Sequence, residues 1–142
     1  MIYIGIDPGK SGAIAFIDGA TGDAWAIKAK ETMHDLCEAV REAVGGQSCT
    51  ATIEKVHSSP QMGVKSAFSF GQSYGQLEML LCALGVRYEH VSPAKWQGDM
   101  KCRTGGDKNI TKAAAQRLFP AVKITHANAD ALLLAEYCRR IN

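Results

Sequence analysis

Short apolar runs separated by turn residues open the chain. An apolar run at residues 2–7 ends in Asp7-Pro8-Gly9, a second at 13–17 ends at Asp18-Gly19, and a third at 24–27 follows Gly22-Asp23. Three short strands joined by tight turns predict an antiparallel meander. In residues 31–44 the apolar positions change to helical spacing, and Gly45-Gly46 ends the predicted helix.

The rest of the chain alternates between strand and helix patterns. The predicted elements are a strand at 50–56, a loop at 57–67, a helix at 68–84, a strand at 88–91, a turn or short helix at 92–96, a helix at 110–118 capped by Asn109 and a last helix at about 128–139. The Gly-rich, charged residues 98–107 predict a mobile segment. This order predicts an α/β fold with a mixed sheet flanked by helices, in a single domain over residues 1–142.

Composition narrows the class of protein. Hydrophobic residues make up 46% of the 142 residues and charged ones 21%, which excludes a disordered chain. No apolar run approaches the ~20 residues of a membrane span. The N-terminus has no basic region and reaches an acid at residue 7, so we do not expect a signal peptide. The five cysteines are irregularly spaced and match no zinc pattern, so we expect reduced thiols in a cytoplasmic protein.

The charge is small overall but unevenly placed. The chain carries a net +2, yet residues 87–123 hold eight Lys or Arg against three acids. A basic region of this kind can face a polyanion, although it can equally be a solvated surface.

Three acids stand where a sheet can bring them together. Asp7 follows the first strand, Glu54 lies near the end of the fourth, and Asp130 lies in the expected first turn of the last helix. Each has an ordinary structural explanation: a turn before Pro-Gly, a strand end reaching water, and a favourable charge at a helix N-terminus. If the first and fourth strands are neighbours, however, the three carboxylates converge and repel unless a cation lies between them. Hard oxygen ligands favour Mg²⁺ or Mn²⁺, and two such ions can clamp a phosphodiester.

The ordered motifs around these acids resemble a known family. Gly-Ile-Asp-Pro-Gly-x-Ser-Gly (5–12), Ile-Glu (53–54) and Ala-Asp-Ala-Leu-Leu-Leu-Ala (129–135) occur in the order seen in RuvC-like Holliday junction resolvases. Phe-Gly-x-x-x-Gly (70–75) and Ser-Pro-x-x-Trp (92–96) resemble the phage and viral branch of that family. The resemblance extends over nearly the whole chain.

The resemblance implies both a fold and an activity. The fold is ribonuclease H-like, a five-stranded mixed sheet with the first three strands antiparallel and helices on its faces. The activity is the Mg²⁺-dependent nicking of four-way DNA junctions by a homodimer, with two ions per active site and no nucleotide cofactor or membrane. Asp7, Glu54 and Asp130 match three of the four acidic ligands. A phage-encoded protein would act in the cytoplasm of a bacterial host.

The fourth ligand position departs from the family pattern. The family has Asp, or sometimes His, three residues before the last Asp, and this chain has Ala127 there. Either the alanine inactivates the enzyme, whether by nature or by design, or His126 supplies the ligand from the neighbouring position.

The DNA-contacting residues are carried over from the same resemblance. Lys95, Lys101, Arg103, Lys108 and Lys112 fall in the segment of the family's DNA-backbone contacts. The family's aromatic wedge position holds His57 here, so Met62, Phe68 or Phe70 are candidates for unstacking bases, unless both Phe side chains pack inward. The dimer interface is expected on one of two leucine-rich helix faces, or on neither if both belong to the core. They are Leu77, Leu80, Leu81 and Leu84, and Leu132, Leu133, Leu134 and Tyr137.

Three alternatives stay open. The first is a junction-binding module without catalysis, and the second is a nuclease of the same fold that cuts flaps, Y-forks or RNA–DNA hybrids. The third is a nucleotide binder, because Asp-x-Gly-x-Ser-Gly (7–12) also resembles the phosphate loop of actin-like proteins and sugar kinases. That architecture needs two domains around a cleft, for which 142 residues leave little room.

Overall fold

A computed structural model describes residues 1–28, 30 and 32–142. The elements in these residues are β1 (Ile2–Ile6), β2 (Ala13–Asp18), β3 (Ala24–Lys28), α1 (Met33–Val44), β4 (Cys49–Glu54), α2 (Val64–Ala83), β5 (Arg87–Val91), α3 (Pro93–Asp99), α4 (Lys108–Leu118) and α5 (His126–Ile141). The predicted first helix starts at residue 31, which lies outside the described residues.

The five strands form one mixed sheet in the order β3-β2-β1-β4-β5. β2 pairs antiparallel with both β1 and β3. β4 pairs parallel with β1 on one side and with β5 on the other. The predicted sheet, with its first three strands antiparallel and its first and fourth strands adjacent, is therefore confirmed.

The alternation of side chains along β1 separates two cores. Ile2, Ile4 and Ile6 belong to the core under α1 and α2. Tyr3 and Gly5 point to the opposite face because successive strand residues alternate. There Tyr3 packs against the core that α3, α4 and α5 cover. β4 follows the same rule, with Ala51 and Ile53 on the α1–α2 side. Consequently the even-numbered residues of β4 share a face with the odd-numbered residues of β1.

Gly5 allows α5 to lie directly on β1. A Cβ atom at Gly5 would stand 2.1 Å from the backbone nitrogen of Ala135 and 2.2 Å from the backbone oxygen of Ala131. No side chain fits in that space, so the helix backbone rests on the strand backbone. α5 contacts β1, β2, β3 and β4, and its residues 131–138 are all buried.

The leucine-rich faces belong to the core of this chain. Leu132, Leu133 and Leu134 are fully buried, so the expectation of a dimer interface on that face of α5 is wrong. The helix runs across the middle of the sheet with α4 packed on its other side, which leaves no leucine stripe free. On α2, Leu80 and Leu81 are likewise buried beneath the helix.

Several element boundaries differ from the sequence-based predictions, and side-chain caps explain two of them. α4 begins at Lys108 because the Asp107 side chain accepts a hydrogen bond from the backbone N–H of Asn109. α5 begins at His126 because Thr125 and Asn128 form a reciprocal capping box. Asp130 therefore lies in the second turn of α5, not in the first.

Two loop predictions also change. α2 begins at Val64, so the predicted loop at 57–67 ends four residues early. In the Gly-rich segment 98–107, Met100 and Cys102 are buried in the core under α5. The prediction of a mobile segment is wrong there, because two apolar side chains anchor the chain between α3 and α4.

Two further features of the structure concern membrane-spanning helices and the cysteines. No helix in the described part of the chain is both long and apolar enough to cross a membrane. All five cysteines are free thiols, of which Cys102 and Cys138 are buried and Cys82 is exposed.

Substituting Gly5 should destabilise the protein strongly. A Gly5→Ala methyl group would have to displace the α5 backbone, and overpacking of this kind costs about 1–3 kcal/mol or more. Gly63→Ala is the matched control, because its Cβ would have no described atom within 4 Å and its φ of −61° suits any residue. We expect urea unfolding to show the loss for Gly5→Ala and a change under about 1 kcal/mol for the control. Equal stability of the two variants would contradict the close approach of α5.

Candidate active site

The pairing of β1 with β4 places Asp7 beside Glu54. Their register pairs Ile6 with Ile53, so Asp7 and Glu54 occupy the next position on adjacent parallel strands. By the alternation described above, both side chains leave the sheet on the face that α5 covers. Because β1 and β4 are parallel, the two carboxyl groups lie at the same end of the sheet, the edge formed by the C-terminal ends of these strands, where β1 continues into the loop at Pro8.

Asp130 reaches the same edge through the packing of α5. Ala131 lies over Gly5, two residues before Asp7, and Asp130 directly precedes Ala131. The Oδ1 atom of Asp130 is buried and has no hydrogen-bond partner among the described residues. Burying an unpaired carboxylate oxygen costs free energy. A cation or a hydrogen-bond donor bound to this atom would remove that cost.

The charges of the three carboxyl groups affect one another. The pKa of Glu54 is raised from 4.5 to about 7. Burial is the largest cause, the negative charges of Asp7 and Asp130 add to the rise, and a hydrogen bond from Trp96 opposes it. Burial also raises the pKa of Asp7, as does the charge of Asp130. A hydrogen bond from the Gly9 backbone N–H, 3.0 Å from Oδ1, and the charge of Lys108 oppose that rise. These electrostatic effects indicate that the three acids singled out by the sequence lie close to one another.

Trp96 is a member of the site that residue chemistry alone did not reveal. Its ring is fully buried, and its Nε1–H donates to Oε2 of Glu54 at 2.6 Å. α3 positions it, since Pro93 occupies the first turn and Ser92 caps the helix. The sequence signal was the Ser-Pro-x-x-Trp motif, which follows the strand adjacent to β4. Trp96 fixes the direction of the Glu54 carboxyl group.

The donor set fits a hard divalent cation, although the acids do not form a closed cage. Among residues 1–28, 30 and 32–142, no three His, Cys, Asp or Glu side chains meet as a ready-made metal site. Glu54 is turned to Trp96 and Asp7 to Gly9, and Oδ1 of Asp130 has no hydrogen-bond partner in the described part of the chain. The pKa values of Asp7 and Glu54 are raised, and Oδ1 of Asp130 lacks a donor among the described residues. Carboxylate oxygens of this kind are ligands that Mg²⁺ or Mn²⁺ accepts.

The two candidates for the fourth ligand position are neighbours at the start of α5. His126 is the first residue of the helix and is exposed, whereas Ala127 is half-buried. Residues three and four positions before Asp130 lie on the same side of a helix as Asp130. Ala127 presents only a methyl group there, and His126 lies at the rim.

The predicted DNA-contacting cations differ in their pairing and exposure. Lys108 begins α4 and is close enough to Asp7 for its charge to lower the pKa of that carboxyl group. The Lys95 ammonium is paired with Asp99 on α3. Lys101 and Arg103 are exposed, and Lys112 is half-buried.

The wedge candidates separate into two kinds. The side chain of Phe68 is 74% exposed on α2, so inward packing is wrong for this residue. Phe70 and Met62 are half-buried and line a groove beside Asp7. His57, at the family's wedge position, is exposed in the loop between β4 and α2.

Comparison with known proteins supports the fold. No protein-family model and no curated protein sequence matches the chain. A solved structure of Thermus thermophilus RuvC in complex with a Holliday junction substrate superposes with a TM-score of 0.68 at 16% identity, covering 100% of this chain and 96% of that one. A second structure of T. thermophilus RuvC gives a TM-score of 0.65 at 16% identity, covering 99% and 96%. The chain has the ribonuclease H-like fold of RuvC. At this identity the likeness concerns the fold alone.

Glu54→Gln should change the pH dependence of stability in the absence of metal. The pKa of Glu54 in the folded state, about 7, lies above its ordinary 4.5, so the folded state binds this proton more tightly than the unfolded state. The resulting stabilisation is complete below pH 4.5 and is lost as the pH rises to about 7. We expect metal-free wild-type protein to lose stability over this range relative to Glu54→Gln, which keeps an acceptor for Trp96.

Urea midpoints measured in EDTA between pH 4.5 and 8 test this expectation. Glu42→Gln, at an exposed site of α1, removes the same charge and serves as the control. Adding Mg²⁺ at pH 8 should stabilise the wild type more than Glu54→Gln. Parallel pH profiles for all three proteins would contradict the assignment.

Proposed function

We propose that the protein is a Mg²⁺-dependent endonuclease that nicks branched DNA, with four-way junctions as its substrate. The observation that carries the proposal is the convergence of Asp7, Glu54 and Asp130 at one edge of a fold shared with RuvC. The RuvC structure in complex with a Holliday junction substrate supports the choice of DNA. Mn²⁺ is an alternative to Mg²⁺, because the ligand set does not distinguish them.

The reaction assigned to this site is phosphodiester hydrolysis. A water oxygen forms a bond to phosphorus while the bond from phosphorus to the 3′ oxygen breaks, which leaves a 5′-phosphate and a 3′-hydroxyl. Two bound Mg²⁺ ions would activate the water and stabilise the leaving oxygen. Asp7, Glu54 and Asp130 would hold these ions, and Trp96 keeps the Glu54 carboxyl group oriented toward α3. Lys108, beside Asp7, is placed to bind the phosphate that is cut.

Ala127 favours a second candidate function. A methyl group at the fourth ligand position neither binds a metal nor orients a water, so the chain as it stands can hold a junction with little cleavage. His126 at the adjacent position is the alternative source of the ligand. The second candidate is therefore a junction-binding module with the same site and a greatly reduced rate.

Ala127→Asp tests these two candidates. Restoring a carboxylate three residues before Asp130 should raise Mg²⁺-dependent nicking of a synthetic four-way junction by about 100-fold, the typical effect of a residue that takes part directly in catalysis. His126→Ala, made in the protein that keeps its own Ala127, should abolish nicking only if His126 is the ligand. A matched Ala113→Asp change on the exposed surface of α4 is the control.

The outcome of this assay separates the candidates. Nicking gained by Ala127→Asp alone supports an inactivated nuclease. Tight junction binding without nicking in every variant supports the binding module. A panel of flaps, Y-forks and RNA–DNA hybrids identifies a different branched substrate if the four-way junction is not cut.

Lys108→Ala should weaken junction binding and reduce its salt dependence. Each phosphate neutralised by Lys or Arg contributes about one unit to the slope of log affinity against log salt concentration. We expect the Lys108→Ala,Lys112→Ala double variant to lose nearly two units, measured by fluorescence anisotropy in Ca²⁺. Lys123→Ala, at an exposed site after α4, is the control for the removal of one lysine charge outside α4. An unchanged slope for the double variant would refute the role of the α4 lysines.

We also propose a homodimer that pairs through the outer face of α2. Val64, Phe68 and Met79 are exposed there on one helical stripe, although they are large and apolar. Gly71 and Gly75 lie between them, and no atom of the residues that the structure describes comes within 4 Å of where their Cβ atoms would be. Small residues flanked by apolar ones allow two helices to approach closely. Two copies paired in this way present two active sites to the arms of one junction.

A phage origin, with action in the cytoplasm of a bacterial host, is proposed from the motifs at 70–75 and 92–96 alone. The assignment of the whole chain to one domain stays a proposal as well.

A further inference from the structure

The indole of Trp96 occupies one of the two oxygens of the Glu54 carboxyl group. Its Nε1–H donates to Oε2 at 2.6 Å, and no described residue donates a hydrogen bond to Oε1. We propose that Trp96 makes Glu54 a ligand through one oxygen and thereby favours Mg²⁺ over Ca²⁺ at the site formed by Asp7, Glu54 and Asp130. This inference rests on the proposed function, and it adds a residue that determines which cation the site accepts.

The indole N–H depends on Glu54 as its acceptor. The Trp96 side chain is fully buried, and an indole has a single N–H donor and no acceptor. A cation bound by both oxygens of Glu54 would have to share Oε2 with this N–H or displace it. Sharing is unfavourable because the hydrogen of the indole carries a partial positive charge. Displacement leaves a buried donor unpaired, which corresponds to a loss of about 5- to 150-fold in affinity.

The surroundings of Trp96 hold the indole in place. Ser92 caps α3, and its side chain accepts a hydrogen bond from the Lys95 backbone N–H. At the other end of the helix the Met100 backbone N–H donates to the Trp96 carbonyl oxygen at 2.9 Å, and the Met100 side chain packs in the same core as the indole. The ring is therefore not free to follow the Glu54 carboxyl group toward a cation, so the bond restricts the carboxyl group instead.

Asp7 has one oxygen engaged in a similar way. Its Oδ1 accepts a hydrogen bond from the Gly9 backbone N–H at 3.0 Å. That bond joins near neighbours in an exposed turn, where water can replace either partner. The bond from Trp96 is buried on its donor side, and it is therefore the stronger limit on the number of oxygens that the protein can supply.

The number of oxygens that the protein supplies distinguishes Mg²⁺ from Ca²⁺. Ca²⁺ takes about 6–8 oxygen ligands and accepts carboxylates through one or both oxygens. Mg²⁺ requires a near-octahedral arrangement and usually keeps several waters, so single carboxylate oxygens suffice for it. A carboxyl group that offers one oxygen is therefore a greater disadvantage for Ca²⁺ than for Mg²⁺.

Removing the indole donor tests the proposal. Trp96→Phe keeps an aromatic ring in the core but frees Oε2 of Glu54. Trp25→Phe is the matched control, because Trp25 is the other tryptophan of the chain and packs against the core on the opposite face of the sheet. Its ring stacks on that of Phe16 with 5.5 Å between the centroids, a contact that phenylalanine can keep.

The affinities for Mg²⁺ and Ca²⁺ are measured separately by NMR titration of the metal-free protein without DNA. Backbone amide shifts at Asp7, Glu54 and Asp130 report binding at the site. We expect Trp96→Phe to lower the ratio of Mg²⁺ affinity to Ca²⁺ affinity by about tenfold, the lower end of the effect of a group that orients a metal ligand. Trp25→Phe should leave this ratio unchanged.

A second replacement removes the donor and keeps the shape of the side chain. In the Trp25→Phe protein Trp96 is the one remaining tryptophan, so growth on 3-benzothienylalanine replaces it with an isostere that has sulfur in place of the N–H. This protein should show the same lowered ratio, and it decides the question if Trp96→Phe does not fold. In the wild type, the indole N–H signal of Trp96 should keep its hydrogen-bonded chemical shift at saturating Mg²⁺.

The outcomes distinguish this inference from the proposed function. An unchanged ratio in the protein without the donor, an equal change in Trp25→Phe, or loss of the hydrogen-bonded indole signal on Mg²⁺ binding would overturn the role of Trp96 and leave the proposed nuclease standing. If the wild type binds neither cation at the three carboxyl groups, the metal site of the proposed function fails together with this inference.

Discussion

The close approach of α5 to β1 at Gly5 is the constraint on which the candidate site depends. With the helix backbone resting on the strand backbone, Ala131 is held over Gly5 and Asp130 is carried to the end of the strand where Asp7 lies. A larger residue at Gly5 would lift the helix and move one carboxyl group away from the other two. The same packing buries residues 131–138, so the element that positions the site is also the centre of one core. Its position is rigid for that reason.

The three carboxyl groups held by this packing repel one another. Burial and mutual repulsion raise the pKa of both Glu54 and Asp7, and Oδ1 of Asp130 has no donor among the described residues. Trp96 and Gly9 each relieve one carboxyl group by a single hydrogen bond. A cation is the group that relieves all three together, because it favours the ionised form of each. Without a bound cation the arrangement costs stability, as is common where function requires like charges to converge.

The strands and the mixed sheet could be predicted from the sequence because their signals are local and periodic, whereas the five-stranded ribonuclease H-like arrangement followed from the family resemblance. Tight turns mark the first three strands, and the motifs ending at Glu54 and beginning at Ala129 mark the later elements. The hydrogen bond from Trp96 to Glu54 could not be predicted from residue chemistry, since it joins side chains 42 positions apart. Whether the leucine-rich helix faces belong to the core or to a dimer interface could not be predicted either. Leu132, Leu133 and Leu134 exceed one helical stripe, and a helix covered on both sides explains the excess. An interface between two copies would have the same pattern.

α2 has two sides of different chemistry. Its outer stripe of Val64, Phe68 and Met79 is apolar and exposed, whereas the side that lines the groove beside Asp7 carries serines and Lys65. A hydrogen bond between His90 and Glu78, 2.7 Å long, ties its second half to β5. Among the described residues, the first half makes no comparable side-chain hydrogen bond to the sheet, and it is this half that separates the groove from the outer stripe. Pairing of two copies along that stripe would therefore fix the groove wall as well. In this arrangement the dimer contact and the shape of the groove depend on the same helix, so a change in one is expected to be felt in the other.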